Sequence, residues 1–194
     1  METLLENIPK IYSIQEYLAY EEKADSKHNF FNGKIIEMPG AKYQHNLIAT
    51  NLTTALNIAL DAESTDYFVL NSDMKIFIPK TVTFVYPDAV VICEAPLFYN
   101  NRKDVITNPL LIVEVLSQST RDYDQQGKFA AYKQISSFKE YVLVEQDFQS
   151  VTASFKEAEN TWVDSLAEGV DSSIYLKSIA CAISLKKIYK GVKF

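Results

Sequence analysis

The sequence predicts a single domain of the α/β or α+β class, in which a mixed β-sheet is flanked by helices. Strand-like and helix-like segments are interleaved along the 194 residues, which favours a sheet with helices packed on it. No linker or low-complexity stretch divides the chain, so residues 1–194 are assigned to one domain. The apolar run at 109–117 is typical of a strand buried on both faces.

The N-terminal third contains two helix signals on either side of a hairpin signal. Ser13 and Glu16 form the sequence pattern of a capping box, which predicts a helix from Ser13 to about Glu22. Asn32-Gly33 between apolar segments predicts a β-hairpin. A second helix is predicted over 43–60, because apolar residues recur there at helical spacing. Its apolar face consists of Ile48, Leu52, Ala55, Leu56 and Ala59.

Five strands and one further helix are predicted in the rest of the chain. The first strand, 67–79, has the alternation of a half-buried strand, and strands at 83–93 and 109–117 follow. Residues 117–120 offer helix N-caps and predict a helix that ends near Ile135. The last two predicted strands are Glu140–Glu145 and Ser150–Lys156.

Composition narrows the classes of protein to which the chain can belong. No apolar run approaches the roughly 20 residues that a membrane-spanning helix requires. Cys93 and Cys181 are far apart without metal-ligand spacing, so we expect reduced core residues and a cytoplasmic protein. The net charge of −6 argues weakly against a nucleic-acid partner, since binding depends on local patches rather than on the sum.

Two acidic residues lie in apolar segments where a carboxylate is costly to bury. Glu114 interrupts the run at 109–117, and Asp88 lies in the preceding strand-like segment. The connection between the segments is short enough for them to be neighbouring strands. If they pair, the two carboxylates could share one site, and hard oxygen ligands of this kind suit Mg²⁺. Such an ion supports the hydrolysis of phosphodiesters.

The helix predicted after Glu114 supplies a cation and an aromatic residue on one face. Asp124, Lys128 and Tyr132 follow one another at intervals of four residues. Two interpretations remain open at this point. The residues could approach the two acids, or Asp124 and Lys128 could form a surface ion pair while Tyr132 packs in the core.

These residues together resemble the Uma-two family, which belongs to the PD-(D/E)XK superfamily of nucleases. The resemblance extends over nearly the full length, and its most specific part is 113–132. The matching residues are Pro87-Asp88, Glu114-Val115-Leu116-Ser117, Ser119-Thr120, Asp124, Lys128 and Tyr132. The resemblance implies a restriction-endonuclease-like fold with an N-terminal helix and hairpin. It also implies a Mg²⁺-dependent DNA endonuclease, with Mn²⁺ as a substitute ion.

The resemblance assigns roles to individual residues and shows two departures. Asp88 and Glu114 would bind the metal, and Lys128 would be the catalytic lysine. Asp124, Tyr132 and His45 would support the site. The superfamily carries a lysine two positions after the second acid, where this chain has Leu116, and relatives often have glutamate where it has Asn29.

Three functions are therefore carried forward from the sequence. The first is a DNA endonuclease, which we expect to be a homodimer because two-fold symmetry suits the cutting of both strands. The second is a catalytically weakened or inactive module that binds DNA or another partner. The third is a metal-dependent hydrolase of RNA or nucleotides.

Overall fold

A computed structural model describes residues 10–61, 66–118 and 120–194, and in these ranges it contains four α-helices and thirteen strands. The helices are α1 (Ile14–Glu21), α2 (Tyr43–Asp61), α3 (Phe129–Tyr132) and α4 (Leu185–Ile188). The strands are β1 (His28–Phe31), β2 (Lys34–Glu37), β3 (Tyr67–Asn71), β4 (Lys75–Ile78), β5 (Thr83–Val85), β6 (Ala89–Cys93), β7 (Val105–Ile106), β8 (Leu111–Leu116), β9 (Glu140–Glu145), β10 (Ser150–Ala158), β11 (Thr161–Glu168), β12 (Ser173–Leu176) and β13 (Cys181–Ser184).

The main sheet has six strands in the order β11-β10-β9-β8-β6-β3. Strands β8 and β9 are parallel, and the other neighbours are antiparallel. Helices α2 and α4 cover one face, where Leu56 and Ile188 share a buried cluster with Val113. Helix α3 covers the other face, where Tyr132 shares a buried cluster with Ile112. The predicted mixed sheet flanked by helices is confirmed.

A second, five-stranded sheet was not foreseen from the sequence. Its order is β2-β1-β5-β4-β7. The strand predicted over 67–79 divides into β3 of the main sheet and β4 of this second sheet. A turn separates them, in which the Asn71 side chain accepts a hydrogen bond from the Asp73 main chain (3.0 Å). Strand β4 is buried on both faces rather than half-buried, because Ile76 and Ile78 pack in one buried cluster and Phe77, on the other face, packs in a second.

The strand predicted over 83–93 is also two strands, and this corrects the position of Asp88. Strand β5 belongs to the second sheet and β6 to the main sheet, with residues 86–88 between them. Pro87 has no main-chain N–H to continue a ladder, so the chain leaves one sheet and enters the other at this point. Asp88 therefore lies in the bend before β6, not within a strand.

The local signals near the N-terminus are confirmed. Ser13 caps α1, and the reciprocal hydrogen bonds with Glu16 complete the capping box. Asn32 and Gly33 have φ of 41° and 91°, as a two-residue hairpin turn between right-twisted strands requires. A side chain at Gly33 would also collide with Ile11, since a Cβ there would lie 2.5 Å from its Cγ2 atom.

The cysteine prediction is half correct, and the membrane prediction agrees with the structure. Cys181 is buried, but Cys93 is exposed, because it is the last residue of β6 and lies where the strand leaves the core. Neither cysteine forms a disulfide. Across residues 10–61, 66–118 and 120–194, no helix combines the length and apolarity needed to cross a membrane.

Candidate metal-dependent active site

A cleft of about 870 Å³ opens where the two sheets meet the start of α2. Asp88, Glu114, Asp124 and Lys128 line it. His45, in the first turns of α2, lines it as well. The cleft therefore gathers candidate residues that are far apart in the chain.

Asp88 is fixed at the cleft by contacts from two elements. Its Oδ2 atom accepts a hydrogen bond from the Val115 main-chain N–H at 2.7 Å, and its own N–H donates to the Val113 carbonyl at 3.1 Å. Its Oδ1 atom is hydrogen-bonded to His45 Nε2 at 2.8 Å. These contacts bind Asp88 to the residues on either side of Glu114, so the acid in the bend before β6 is a neighbour of the acid in β8.

Glu114 is buried, and both of its carboxylate oxygens have partners from the following helix. Lys128 Nζ lies 3.0 Å from Oε2, and the Tyr132 hydroxyl donates to Oε1 at 3.0 Å. Lys128 Nζ also lies 3.0 Å from Asp124 Oδ1 as an ion pair without hydrogen-bond alignment. The acid that was anomalous in an apolar strand is thus paired by a lysine fourteen residues further along the chain.

The helix that carries these partners contains a π-helical segment, Tyr123–Lys128, followed directly by α3. In a π-helix the i→i+5 bonds widen the turn, so four residues fall short of a full turn, whereas in an α-helix they exceed it. The shortfall of the π-helical turn from Asp124 to Lys128 and the excess of the α-helical turn from Lys128 to Tyr132 oppose each other. The three side chains therefore stay on one side of the helix, towards Glu114. Gly127 lies against the Tyr123 ring, where a Cβ would be only 3.1 Å from Cδ2.

Burial and neighbouring charges shift the proton equilibria of the central pair. Burial raises the pKa of Glu114 well above its usual range; Lys128 opposes this effect, and Asp124 and Asp88 add to it. Burial alone would lower the pKa of Lys128, but the three carboxylates outweigh it and raise that pKa. Lys128 therefore remains an ammonium, while Glu114 holds a proton more tightly than an exposed glutamate does.

The donor set fits a hard divalent cation. Asp88, Glu114 and Asp124 all raise the pKa of the single lysine, Lys128, so carboxyl groups outnumber basic side chains here. Within the described ranges, no three His, Cys, Asp or Glu side chains converge as a preassembled metal site. Mg²⁺ does not require one, since it keeps several waters and is held by one or two protein carboxylates. Asp88 and Glu114 are the residues that would hold it.

The structure brings the six sequence-predicted site residues into one network and overturns one interpretation. Asp124 and Lys128 are not a surface pair, because their side chains are only 4% and 5% exposed. Two other basic residues of this part of the chain are engaged elsewhere. Arg121 forms a bidentate ion pair with Glu145, and Lys133 lies over the Phe129 ring.

The helix is also shorter than predicted. The helix runs from Arg121 to Tyr132, whereas the sequence predicted an end near Ile135. Ser119 of the predicted N-cap segment lies outside the described residues. The chain turns at 133–134 after α3, so the last predicted turn does not form. Asp124, Lys128 and Tyr132, which contact the site, all lie within the part of the segment that is helical.

Sequence reasoning missed the contribution of Tyr86 and the role of Asn29. The Tyr86 carbonyl lies 3.5 Å from Lys128 Nζ, and the Tyr86 hydroxyl donates to Glu21 at 2.8 Å. Asn29 Oδ1 accepts a hydrogen bond from the Tyr86 N–H at 3.2 Å. Asn29 therefore positions the segment that leads into Asp88. These contacts join distant segments of the chain, and no residue pattern in the sequence signals them.

The fold and the acid–acid–lysine network define a protein of the restriction-endonuclease-like class. The chain belongs to the Uma2 family, whose family model, described as "Putative restriction endonuclease", matches residues 14–185. The family assignment made from the motif at 87–132 is confirmed.

Two relatives of known sequence and one of known structure resemble the chain. Two proteins of Synechocystis sp., described as uncharacterized proteins sll1609 and slr1290, are 37% and 35% identical to the chain. The matches cover 79% and 96% of this chain, and 86% and 95% of the relatives. A crystal structure from Anabaena variabilis, described as a putative nuclease belonging to DUF820, superposes with a TM-score of 0.73 at 15% identity. It covers 92% of this chain and 97% of its own, which shows a shared fold.

Proposed function

We propose that the protein is a Mg²⁺-dependent DNA endonuclease. The observation that carries the proposal is the pairing of Glu114 with Lys128 beside Asp88 in the lining of an open cleft. Two carboxylates and a lysine in this arrangement provide ligands for one divalent ion and a fixed positive charge close to it. Membership of a family described as restriction endonucleases supports a phosphodiester as the substrate.

Each residue of the network has a separate task in this proposal. The bound metal, held by Asp88 and Glu114, would polarise a phosphoryl oxygen and lower the pKa of a water. Lys128 positions the attacking water or stabilises the charge that develops on the phosphate, an effect that is strong where water is excluded. His45 and the Val115 N–H hold the Asp88 carboxylate, and Tyr132 holds that of Glu114.

The test is a DNA cleavage assay in Mg²⁺ or Mn²⁺ with isosteric variants. Asp88→Asn and Glu114→Gln are expected to lose cleavage by at least a hundredfold while retaining the circular dichroism spectrum of the wild type. Glu157→Gln is the matched control, because Glu157 is a half-exposed carboxylate paired with Lys177 outside the cleft. Equal cleavage by all four proteins would refute the assigned site.

The rival function is a nuclease-fold module that binds DNA without cutting it. The observation that favours it is Asn29, whose amide is bound to the main chain where relatives often have a glutamate. Calorimetric titration with Mg²⁺ and Mn²⁺ separates the two functions. Absence of binding at millimolar metal, together with absence of cleavage by the wild type, would favour the module.

The proposed enzyme acts as a homodimer. Two copies related by a two-fold axis present two clefts to the two strands of a duplex, and two-fold dimers are the commonest soluble oligomers. Light scattering at micromolar concentration should give twice the chain mass of 22.0 kDa. A mass of one chain under these conditions would contradict the dimer without affecting the assignment of the site.

A further inference from the structure

Two elements of this acidic protein are almost free of Asp and Glu, and they pack against each other. Helix α2 has no Asp or Glu before its last residue, and the C-terminal segment 172–194 has none. The side chain of Asn51 donates to the carbonyls of Ile188 (3.0 Å) and Lys190 (2.9 Å), and Gln44 donates to the carbonyl of Lys193 (2.6 Å). The excess negative charge of the chain therefore lies elsewhere.

Five lysines are exposed on this acid-free part of the molecule, and we refer to them as the basic tail surface. They are Lys42, Lys186, Lys187, Lys190 and Lys193. None of the five forms an ion pair with a carboxylate of the described residues, in contrast to Lys177 of the same segment, which pairs with Glu157. Unpaired ammonium groups on an acid-free background attract a polyanion.

The basic tail surface is continuous with the candidate active site. Lys42 and Lys193 line a second cavity of about 460 Å³ beside the start of α2, and Lys42 also lines the main cleft. Tyr43, which is 75% exposed, lines the second cavity as well. A chain of phosphates that leaves the cleft past Lys42 would therefore meet the tail lysines next.

The cleft itself is poorly suited to hold a polyanion. Five acidic side chains line it, against three lysines, and two of these lysines are already paired with carboxylates. The acids that line it are Glu37, Asp88, Glu114, Asp124 and Asp147. A site of this charge can bind a metal and one phosphate, but the affinity for a long nucleic acid has to come from outside it.

We propose that the basic tail surface binds the phosphate backbone of duplex DNA that flanks the phosphate in the cleft. This inference rests on the proposed function, because it places the reacting phosphate in that cleft. The segment from Gln44 to Asn51, to which the tail is bound, is about 10 Å long. A DNA strand presents a phosphate about every 3.4 Å along the helix axis, so about three phosphates of one strand fall within that length.

The test compares the salt dependence of DNA binding in two double variants. Fluorescence anisotropy with a labelled duplex, in Ca²⁺ to prevent cleavage, is measured for the wild type and for Lys190→Ala/Lys193→Ala. Each lost phosphate contact lowers the slope of log K against log salt by about 0.9, so the slope should fall by about 1.8. Binding at 0.1 M salt should weaken roughly 10- to 60-fold.

The control variant, Lys80→Ala/Lys103→Ala, removes two exposed lysines that line neither cavity and should bind as the wild type does. Equal slopes for both double variants would overturn the inference and leave the nuclease proposal intact. A third outcome combines lost DNA affinity in the tail variant with no cleavage by the wild type. That outcome would support the inference and refute the nuclease proposal. Tail-dependent binding to anionic phosphatidylserine vesicles, with DNA binding unchanged, would overturn the inference in favour of a membrane surface.

Discussion

Replacing Lys128 with methionine leaves two buried carboxylates without the cation they share. The methionine side chain is similar in length to that of lysine and can occupy the space of the lysine methylene groups, so the change mainly removes the charge. Glu114 and Asp124 each lose a partner 3.0 Å away, and their side chains are 3% and 4% exposed. Removing one partner of a buried ion pair costs about 3–5 kcal/mol, because the remaining charge stays desolvated.

The expected loss of stability is large enough to measure in two ways. For a domain of 150–250 residues, 1 kcal/mol corresponds to about 2–4 °C in Tm, so Lys128→Met should lower Tm by about 6–20 °C at pH 7. Urea unfolding followed by circular dichroism should show a lower midpoint with an unchanged slope. The deficit should shrink as the pH falls, because protonation neutralises the stranded carboxylates.

Lys133→Met is the matched control, since Lys133 is an exposed lysine just after α3 that lies over the Phe129 ring. Its loss should cost no more than about 1 kcal/mol. The double variant Lys128→Met/Glu114→Gln should be more stable than the sum of its single changes predicts, because the residues are in contact. A Lys128→Met variant no less stable than Lys133→Met would refute the buried network described above.

Three further predictions concern other parts of the site and the core. Gly127→Ala should lower the urea midpoint, although the same change in a regular helix raises stability by about 1 kcal/mol, because the new methyl group presses on Tyr123. Burial raises the pKa of Glu140. Its contribution to the free energy of unfolding is therefore full below the ordinary glutamate pKa and is lost as the pH rises through the raised pKa. Glu140→Gln should flatten the curve of stability against pH in that range, and an unchanged curve would contradict this. His45→Ala removes the hydrogen bond to Asp88 and should weaken Mg²⁺ binding about 10- to 100-fold in calorimetry, with Tm unchanged within 2–4 °C.

Features that depend on neighbouring residues in the chain could be predicted from the sequence. The capping box at Ser13 and the turn at Asn32-Gly33 are determined by a few consecutive residues, and both form as expected. The family motif likewise located Glu114 and Lys128, because their order and spacing are visible in the chain. For Glu114, an uncompensated acid in an apolar strand was itself the signal.

Features that depend on distant contacts could not be predicted in the same way. The pattern of residues 83–93 continues as a strand across Pro87, but the chain changes sheets there because β1 and β8 offer separate edges for pairing. The burial of Lys128 depends on the π-helical segment, whose bonds leave no residue signature. Asn29 is a buried polar residue, and its side-chain oxygen serves as the acceptor that the Tyr86 main-chain N–H needs.

The π-helical segment has a consequence for how alignments of this family are interpreted. A π-bulge inserted in an α-helix adds a residue to that turn, so a one-residue gap between 123 and 128 in a relative would mark the loss of the bulge. A relative with that gap would carry its acid and lysine three positions apart, which in a regular α-helix still places the two side chains on one face. The gap would look like a minor length change in an alignment, whereas in the molecule it would mark a change in the type of helix that carries the paired lysine.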